Sequence, residues 1–473
     1  AKMRTTAMLA ACLVVTWGLT GCSSSDVGDI GDMSGLELDS DTPDDTAGEV
    51  DSEFRWVPEG EPILDREMVK AAECGVTRDT TGHSPLMWER EAHSLIRTSG
   101  GQVFFVRAES EPDDPYSVVP AFLVVSTMDT AGNLGNPVDT LALPPSYGSV
   151  SLDAAPVGEG FIVVWTDSEG FHCTVRDAQA EELVAPISIE GYERDYTTRP
   201  KLAVRGDEPG LVFSVPEGAR RKVVFMRLGE QCQVVGAPVE WRTESDPNSD
   251  LALTVAAGKG GWGIAWQERP QERGTIYFSA VDPNGEESVD KTELYSSQPE
   301  LRLHSWSFSR PRLSLMAVDE AWLIAWTEGY PGDDIFIEDP NDSAGAFAII
   351  QLARLDGEGS VLEQAPLTAP IIDEDHVEPL LLPYMGKAAL LWSVGSHIYV
   401  CGGCVPDHKM NFLLVDPLTF APASETLSFI PNSGGLLDSD ALAADEDLLV
   451  TFLSTFHVHA VPASGAISCQ AVE

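Results

Sequence analysis

Short apolar runs ending in a large residue recur along this chain. GQVFFVRA begins at Gly101, GFIVVWTD at Gly160, GLVFSVPE at Gly210 and GWGIAWQE at Gly261. AWLIAWTE follows at Ala321, KAALLWSV at Lys387 and DLLVTFLS at Asp447. The large position is Val106, Trp165, Phe213, Trp266, Trp326, Trp392 and Phe452, with gaps of 59, 48, 53, 60, 66 and 60 residues. Successive residues within a run are apolar, which predicts strands buried on both faces and not the alternation of a half-exposed sheet. A second short apolar segment precedes each run: SLIRTS, SLDAAPV, KLAVRG, LALTVAA, RLSLMAV, PLLLPYM and LDSDALAA. Tight Gly-rich links such as Gly258-Lys259-Gly260-Gly261 join the two as hairpins. A third strand follows each run and often ends in a turn, as at Asp129–Gly132, Asp282–Gly285, Asp356–Gly359 and Pro462–Gly465. Looser versions sit at Asp177, Leu228-Gly229 and Asp416-Pro417, and a fourth, weaker strand comes after.

Each unit is therefore four short strands in about 50 residues, and the helical period is nearly absent. A four-stranded sheet repeated at this length predicts an all-β chain folded as a β-propeller. Stacked blades bury both sheet faces, and ring closure leaves only short edges. Seven units predict seven blades, with six or eight also compatible; a pair of β-sandwich domains is the competing architecture. No composition break divides residues 93–473, which are assigned to the propeller, with 54–92 as an N-terminal cap or closure segment.

The first 53 residues read differently. Lys2 and Arg4 precede an apolar stretch from Ala7 to Leu19, the order of a signal peptide over residues 1–21. Leu19-Thr20-Gly21-Cys22 resembles the lipobox of bacterial lipoproteins, and the resemblance makes Cys22 the lipidated first residue of the mature chain. Residues 23–53 carry eleven acidic residues and no Lys or Arg. Such a segment has too little apolar surface to offset the entropy of ordering it, so residues 22–53 read as a disordered acidic tether. Ser23 does not resemble the Asp that retains lipoproteins at the inner membrane, so the expected location is the cell envelope at the outer membrane.

The rest of the chain has 64 acidic and 27 basic residues, a net −37. That balance excludes a nucleic-acid partner, which needs a basic footprint, and a polybasic membrane face. Contact with a membrane is expected through the lipid alone, and the expected state is a monomer.

The repeat pattern resembles the degenerate Trp-containing β-propeller repeats of exported bacterial lipoproteins, over nearly the whole folded body. The Asp-bearing turns are similar to the Asp-box of sialidase-like propellers, but no unit carries the full Ser-x-Asp-x-Gly-x-x-Trp pattern. Sialidase chemistry is not implied.

Candidate sites concentrate where the copies differ. Second-to-third connections vary in length, because the span from the large residue to the turn after the third strand is 12 residues from Trp165 to Asp177, 16 from Trp266 to Asp282, 24 from Trp392 to Asp416 and 30 from Trp326 to Asp356. In a propeller they emerge on the face that carries the blade-to-blade connections, and binding groups collect on such loops. In the longest, Asp333, Asp334, Glu338, Asp339 and Asp342 offer hard oxygens that calcium would accept, without the ligand order of an EF-hand. A solvated acidic loop is the alternative, and no other cofactor is indicated. Trp241, Trp306, Tyr330 and Tyr399 are aromatic candidates for gripping a sugar or peptide on this face, with blade packing as the alternative. Six Cys follow the lipobox: Cys74, Cys173, Cys232, Cys401, Cys404 and Cys469. An even count in an exported chain favours disulfides, and a Cys74–Cys469 bond would staple the termini of the body. Cys401-Gly-Gly-Cys404 can close on itself or, with His397 and His408, form an incomplete zinc knot. His457 and His459 share a strand face as surface or packing residues.

No nucleophile elbow, HExxH or P-loop is present. The function these features favour is a non-enzymatic lipoprotein that presents a propeller to a protein or glycan partner. A propeller hydrolase or lyase acting on exported carbohydrate is the alternative. A scaffold in outer-membrane assembly follows only by analogy of fold.

Overall fold

The computed structural model describes residues 60–78, 93–110, 120–144, 150–193, 198–247, 249, 251–268, 274–297, 312–330, 347–371, 374–396, 409–429, 436–444, 447–456 and 459–472. Apart from one short 3-10 turn at Ile63–Asp65, its elements are strands. They form seven four-stranded antiparallel sheets. The first strands of blades 1 to 7 are His93–Arg97, Ser151–Val157, Lys201–Arg205, Leu253–Gly258, Leu313–Val318, Glu374–Tyr384 and Leu436–Ala444. Each neighbours the first strand of the next blade, and the seventh neighbours the first, so the ring is closed. The chain is a seven-bladed β-propeller with its first strands around the axis. One parallel pair, Ala348 with Asp375, links the sheets of blades 5 and 6.

The apolar runs are the second strands, and alternate side chains serve opposite joints. Phe161, Val163 and Trp165 pack with Phe104 and Val106 of blade 1. Ile162 and Val164, between them, pack with Leu211 and Phe213 of blade 3. A buried cluster of this kind fills each of the seven joints. Uninterrupted hydrophobicity is thus the direct consequence of two neighbours per sheet. Trp266, Trp326 and Trp392 are buried at the same place in their blades.

The seventh blade does not take its strands in chain order. Leu436–Ala444, Asp447–Phe456 and His459–Ala471 supply three, and the outermost is Ala72–Arg78 from the N-terminal part of the body. Cys74 lies directly opposite Cys469 in that pairing, and the two form a disulfide across the closure seam. A second disulfide joins Cys173, on the third strand of blade 2, to Cys232, in the last turn of blade 3. Cys401 and Cys404 lie outside the described residues.

On the face away from the long connections, the Asp turns are alike. Asp282 Oδ1 accepts the N–H groups of Asn284 and Glu286, both at 2.9 Å, and Gly285 takes φ +88°. Asp129, Asp177 and Asp356 repeat this pattern, and Asp416 a variant of it. In two degenerate turns the left-handed position is held by Ala180 and Cys232. These turn acids are committed to their own backbones, the role that Asp side chains play in tight turns.

Candidate functional site: the central channel

The seven first strands enclose a cavity of about 260 Å³ on the axis. It lies toward the starts of those strands, since Ser94, Lys201, Leu313 and the preceding Arg199 and Arg312 line it. That end of the ring carries the blade-to-blade connections and the second-to-third loops. The charged groups of the wall are Asp153, Asp440, Arg199, Lys201 and Arg312, with His93 beside them.

Both carboxylates occupy one register position. Asp153 pairs with Val164, the residue before Trp165, and Asp440 pairs with Thr451, the residue before Phe452. Lys201, Thr254 and Ser314 hold the same position in blades 3, 4 and 5. From there side chains reach across the joints. Asp440 of blade 7 accepts the Leu95 N–H of blade 1 at 2.8 Å. The Ser94 hydroxyl donates to Asp153 at 3.2 Å, linking blades 1 and 2. Asp153 accepts the Leu202 N–H of blade 3 at 2.7 Å, and Ser314 accepts the Leu381 N–H of blade 6 at 2.8 Å. First strands need such partners because their channel-facing edge has no further strand to pair with. Burial pushes the Asp153 carboxyl up to about 6, although Lys201 and the Leu202 N–H favour its charged form; Asp440 adds repulsion.

A second set of acids stands behind the channel, at the ends of the second strands. Trp165 donates its indole N–H to Asp167 at 3.2 Å, and Trp266 donates to Glu268 at 2.9 Å. The i, i+2 spacing puts ring and acid on one face of a strand. Burial alone would raise the Asp167 carboxyl, but His172, the Glu169 N–H and the Trp165 indole hold it below its ordinary value. Glu268 is paired with Lys291 at 2.5 Å, and the Lys291 ammonium sits 4.0 Å over the Tyr277 ring. Glu328 stands two residues after Trp326, but the Trp326 indole N–H does not donate to it; Glu328 is fully buried and accepts from the Tyr295 hydroxyl and from Gln351 Nε2 at 3.2 Å. No cation faces it among its hydrogen-bond partners, and burial pushes its carboxyl up to about 7. In blade 6 Val394 stands at the acid position, and the Trp392 indole N–H turns to His376 Nδ1 at 3.0 Å.

The sequence candidates fall elsewhere. Trp241 is 5 % exposed, lies 5.5 Å from the Trp266 ring and donates to Glu287, so it packs the joint of blades 3 and 4. Tyr330 is placed by its backbone alone, at the end of the second strand of blade 5. Trp306, Tyr399 and the acidic set Asp333, Asp334, Glu338, Asp339 and Asp342 lie outside the described residues, as does Cys22. Among the described residues no cluster of three or more His, Cys, Asp or Glu is placed to hold a metal, and no helix is long and apolar enough to cross a membrane. The channel residues were missed by sequence reasoning. Their signal was available in the first-strand segments, where SLDAAPV, KLAVRG, RLSLMAV and LDSDALAA place a polar residue at one aligned position.

No protein-family model matches the sequence, and no curated protein sequence matches it. Solved structures do align with it. The Dos1 propeller does so at 8 % identity and a TM-score of 0.43, over 87 % of this chain and 96 % of that one. Polysaccharide lyase Uly1 aligns at 7 % and 0.49, over 82 % and 92 %. The GH93 α-L-arabinofuranosidase of Fusarium graminearum aligns at 8 % and 0.42, over 82 % and 97 %. At such identities the likeness concerns the fold alone.

Proposed function

We propose that this chain is an envelope lipoprotein, anchored through Cys22, whose propeller is a binding module for a protein or glycan partner. Its binding face is the one that carries the blade-to-blade connections and the channel mouth. The observation that supports a binding role over catalysis is the use made of the channel carboxylates. Asp153 and Asp440 are each held by two backbone N–H groups, one of them from the adjacent blade. A general acid or base needs a carboxyl that reaches substrate, and these reach the scaffold. The lipobox, the acidic tether and the absence of hydrolase motifs support the rest of the reading.

Expression in a bacterium with labelled palmitate tests both halves. Label is expected in the chain, lost in Cys22→Ser, and the labelled protein is expected to retain a partner from envelope extract without changing it. An unlabelled, freely soluble chain would contradict the anchor. A partner released in chemically altered form would contradict the binding role.

A further inference from the structure

We infer that the cleft between blades 4 and 5, on the face away from the channel mouth, docks an arginine side chain presented by a partner polypeptide. The site is separate from the channel face, so it goes beyond the binding face proposed above and stands without it.

The cleft encloses about 510 Å³. Gly258 and Ala280 of blade 4 line one side, and Glu320, Trp322, Gly357 and Glu358 of blade 5 line the other. The joint of blades 3 and 4 has the same parts, but there the chain's own arginines fill the space. Arg205 sits 5.8 Å over the Trp262 ring, and Arg227 Nη1 donates to the Pro283 carbonyl at 2.8 Å. Arg205 closes the first hairpin of blade 3 opposite Glu208, and Gly258 closes that of blade 4 opposite Gly261. Arg227 pairs with Gly210, and at the same register Ala280 pairs with Gly263. Gly258 and Ala280 thus stand in blade 4 where blade 3 has its two arginines, and the cleft is the room they leave.

The groups around that room lack what an arginine supplies. Glu320 and Glu358 are exposed, and their carboxylates make no hydrogen bond or ion pair among the described residues. Their two turns touch, since a Cβ on Gly357 would stand 3.1 Å from the Glu320 carbonyl oxygen. Asp319 is paired with Lys259 at 3.4 Å, but the two side chains are 80 % and 71 % exposed, so solvent screens that contact. Trp322 is an independent sign of an occupant. Its counterpart Trp262 donates its indole N–H to the Ala203 carbonyl at 3.2 Å. Trp322 instead lays its six-membered ring against Gly258 and Gly263, where a Cβ would stand 2.9 Å from the ring, and so turns its N–H edge away from them. The residue is 6 % exposed and lines the cleft, and its N–H has no acceptor among the described residues. A donor so buried calls for a partner, and the main-chain carbonyl beside an incoming arginine is one. The guanidinium offers carboxylates a planar fork, on a stem that packs against small apolar residues. The volume falls in the range of roughly 300–1,000 Å³ typical of binding sites, room for the side chain and its flanking main chain. Among the described residues no three His, Cys, Asp or Glu converge to hold a metal, so a bare cation is not favoured.

The test is calorimetric titration of the full chain with the peptide acetyl-Ala-Arg-Ala-amide, beside the same peptide with citrulline or lysine in place of arginine. The arginine peptide is expected to bind at least about tenfold more tightly than the citrulline peptide, which keeps the shape and loses the charge, and to weaken as salt rises. The lysine peptide should be weaker too, since an ammonium has no fork. Glu320→Gln together with Glu358→Gln should cost about tenfold. Ala280→Arg, which gives blade 4 the residue of blade 3, should fill the cleft and remove binding. Glu230→Gln, in an exposed turn of the same face, should change nothing. A citrulline peptide that binds as well as the arginine peptide would overturn the inference. So would unchanged binding in the double Glu variant with native circular dichroism, or an equal loss in Glu230→Gln, either of which would put the peptide elsewhere on the acidic surface. A lysine peptide as tight as the arginine peptide would reveal a general cation trap and overturn the arginine assignment.

Discussion

Replacing Cys74 and Cys469 together by Ser is expected to cost about 3–5 kcal/mol of stability, read from denaturant unfolding with the Cys173–Cys232 bond intact. The size of the effect comes from where the bond lies. It joins residues 395 apart, whereas Cys173 and Cys232 are 59 apart. In the chain-entropy account the longer loop adds about 2 kcal/mol over the shorter one. The seam bond is also the only covalent tie, among the described residues, between the outermost strand of blade 7 and the rest of that blade. Without it, Ala72–Arg78 is held by a single ladder to His459–Ala471, by its packing against blade 6 and by the Ala72 N–H bond to the Ala423 carbonyl at 3.1 Å. Loss of that strand would bare an edge and loosen the joint that closes the ring. Hydrogen exchange should therefore accelerate first in the 72–78 and 459–472 strands of the double variant. Equal losses for the two disulfides, with exchange rising evenly around the ring, would show that the seam is not where closure is decided.

Glu328→Gln is expected to stabilise the protein by about 3 kcal/mol at pH 8 and to change little at pH 4. The carboxyl is fully buried and its pKa is pushed from an ordinary 4.5 up to about 7. Each unit of such a shift corresponds to about 1.4 kcal/mol. Between those two values the folded state holds a proton that the unfolded state has released. Stability is therefore highest below pH 4.5, falls as pH rises, and the full cost is present above pH 7. An amide at this position still accepts from the Tyr295 hydroxyl and carries no charge to desolvate. Urea unfolding of the wild type and the variant across pH 4–8 checks the trend, since the acidity of the rest of the chain is common to both. A variant less stable than the wild type at pH 8 would mean that Glu328 is paired with a cation when folded.

How much of this was legible in the sequence depends on whether a feature repeats. The Trp positions recur at 165, 266, 326 and 392, and seven copies of the unit favour seven blades while leaving six or eight open. The Asp turns repeat for a chemical reason, the need for a side-chain acceptor and a left-handed residue, and could be read as scaffold. Ala72–Arg78 could not be read as the last strand of blade 7. AECGVTR is short and polar, and its partner strand lies at the other end of the chain. Only the Cys at each end hinted that the two segments meet. Asp153 and Asp440 were hidden for a different reason. In SLDAAPV and LDSDALAA an acid looks like a solvent residue, and only ring geometry puts it against a backbone N–H of the next blade. The Trp–acid pairs stand in the sequence as WTD and WQE, but the same spacing in WTE makes no such bond, so the spacing alone does not mark one. Trp241 carried no mark that separates a rim aromatic from a joint aromatic, and its burial against Trp266 decides the matter.

The claim on which the functional reading turns is that the channel carboxylates hold the ring together. Asp440→Ala tests it most directly. Leu95 is 7 % exposed, and its N–H loses its acceptor in that variant. Leaving a buried donor unsatisfied costs about 1–3 kcal/mol, so the unfolding midpoint in urea should fall while the fold, by circular dichroism, stays. Catalytic groups are commonly kept at the expense of stability, and their removal stabilises. A midpoint for Asp440→Ala that is unchanged or higher would contradict the structural role and return this carboxylate to the candidates for chemistry.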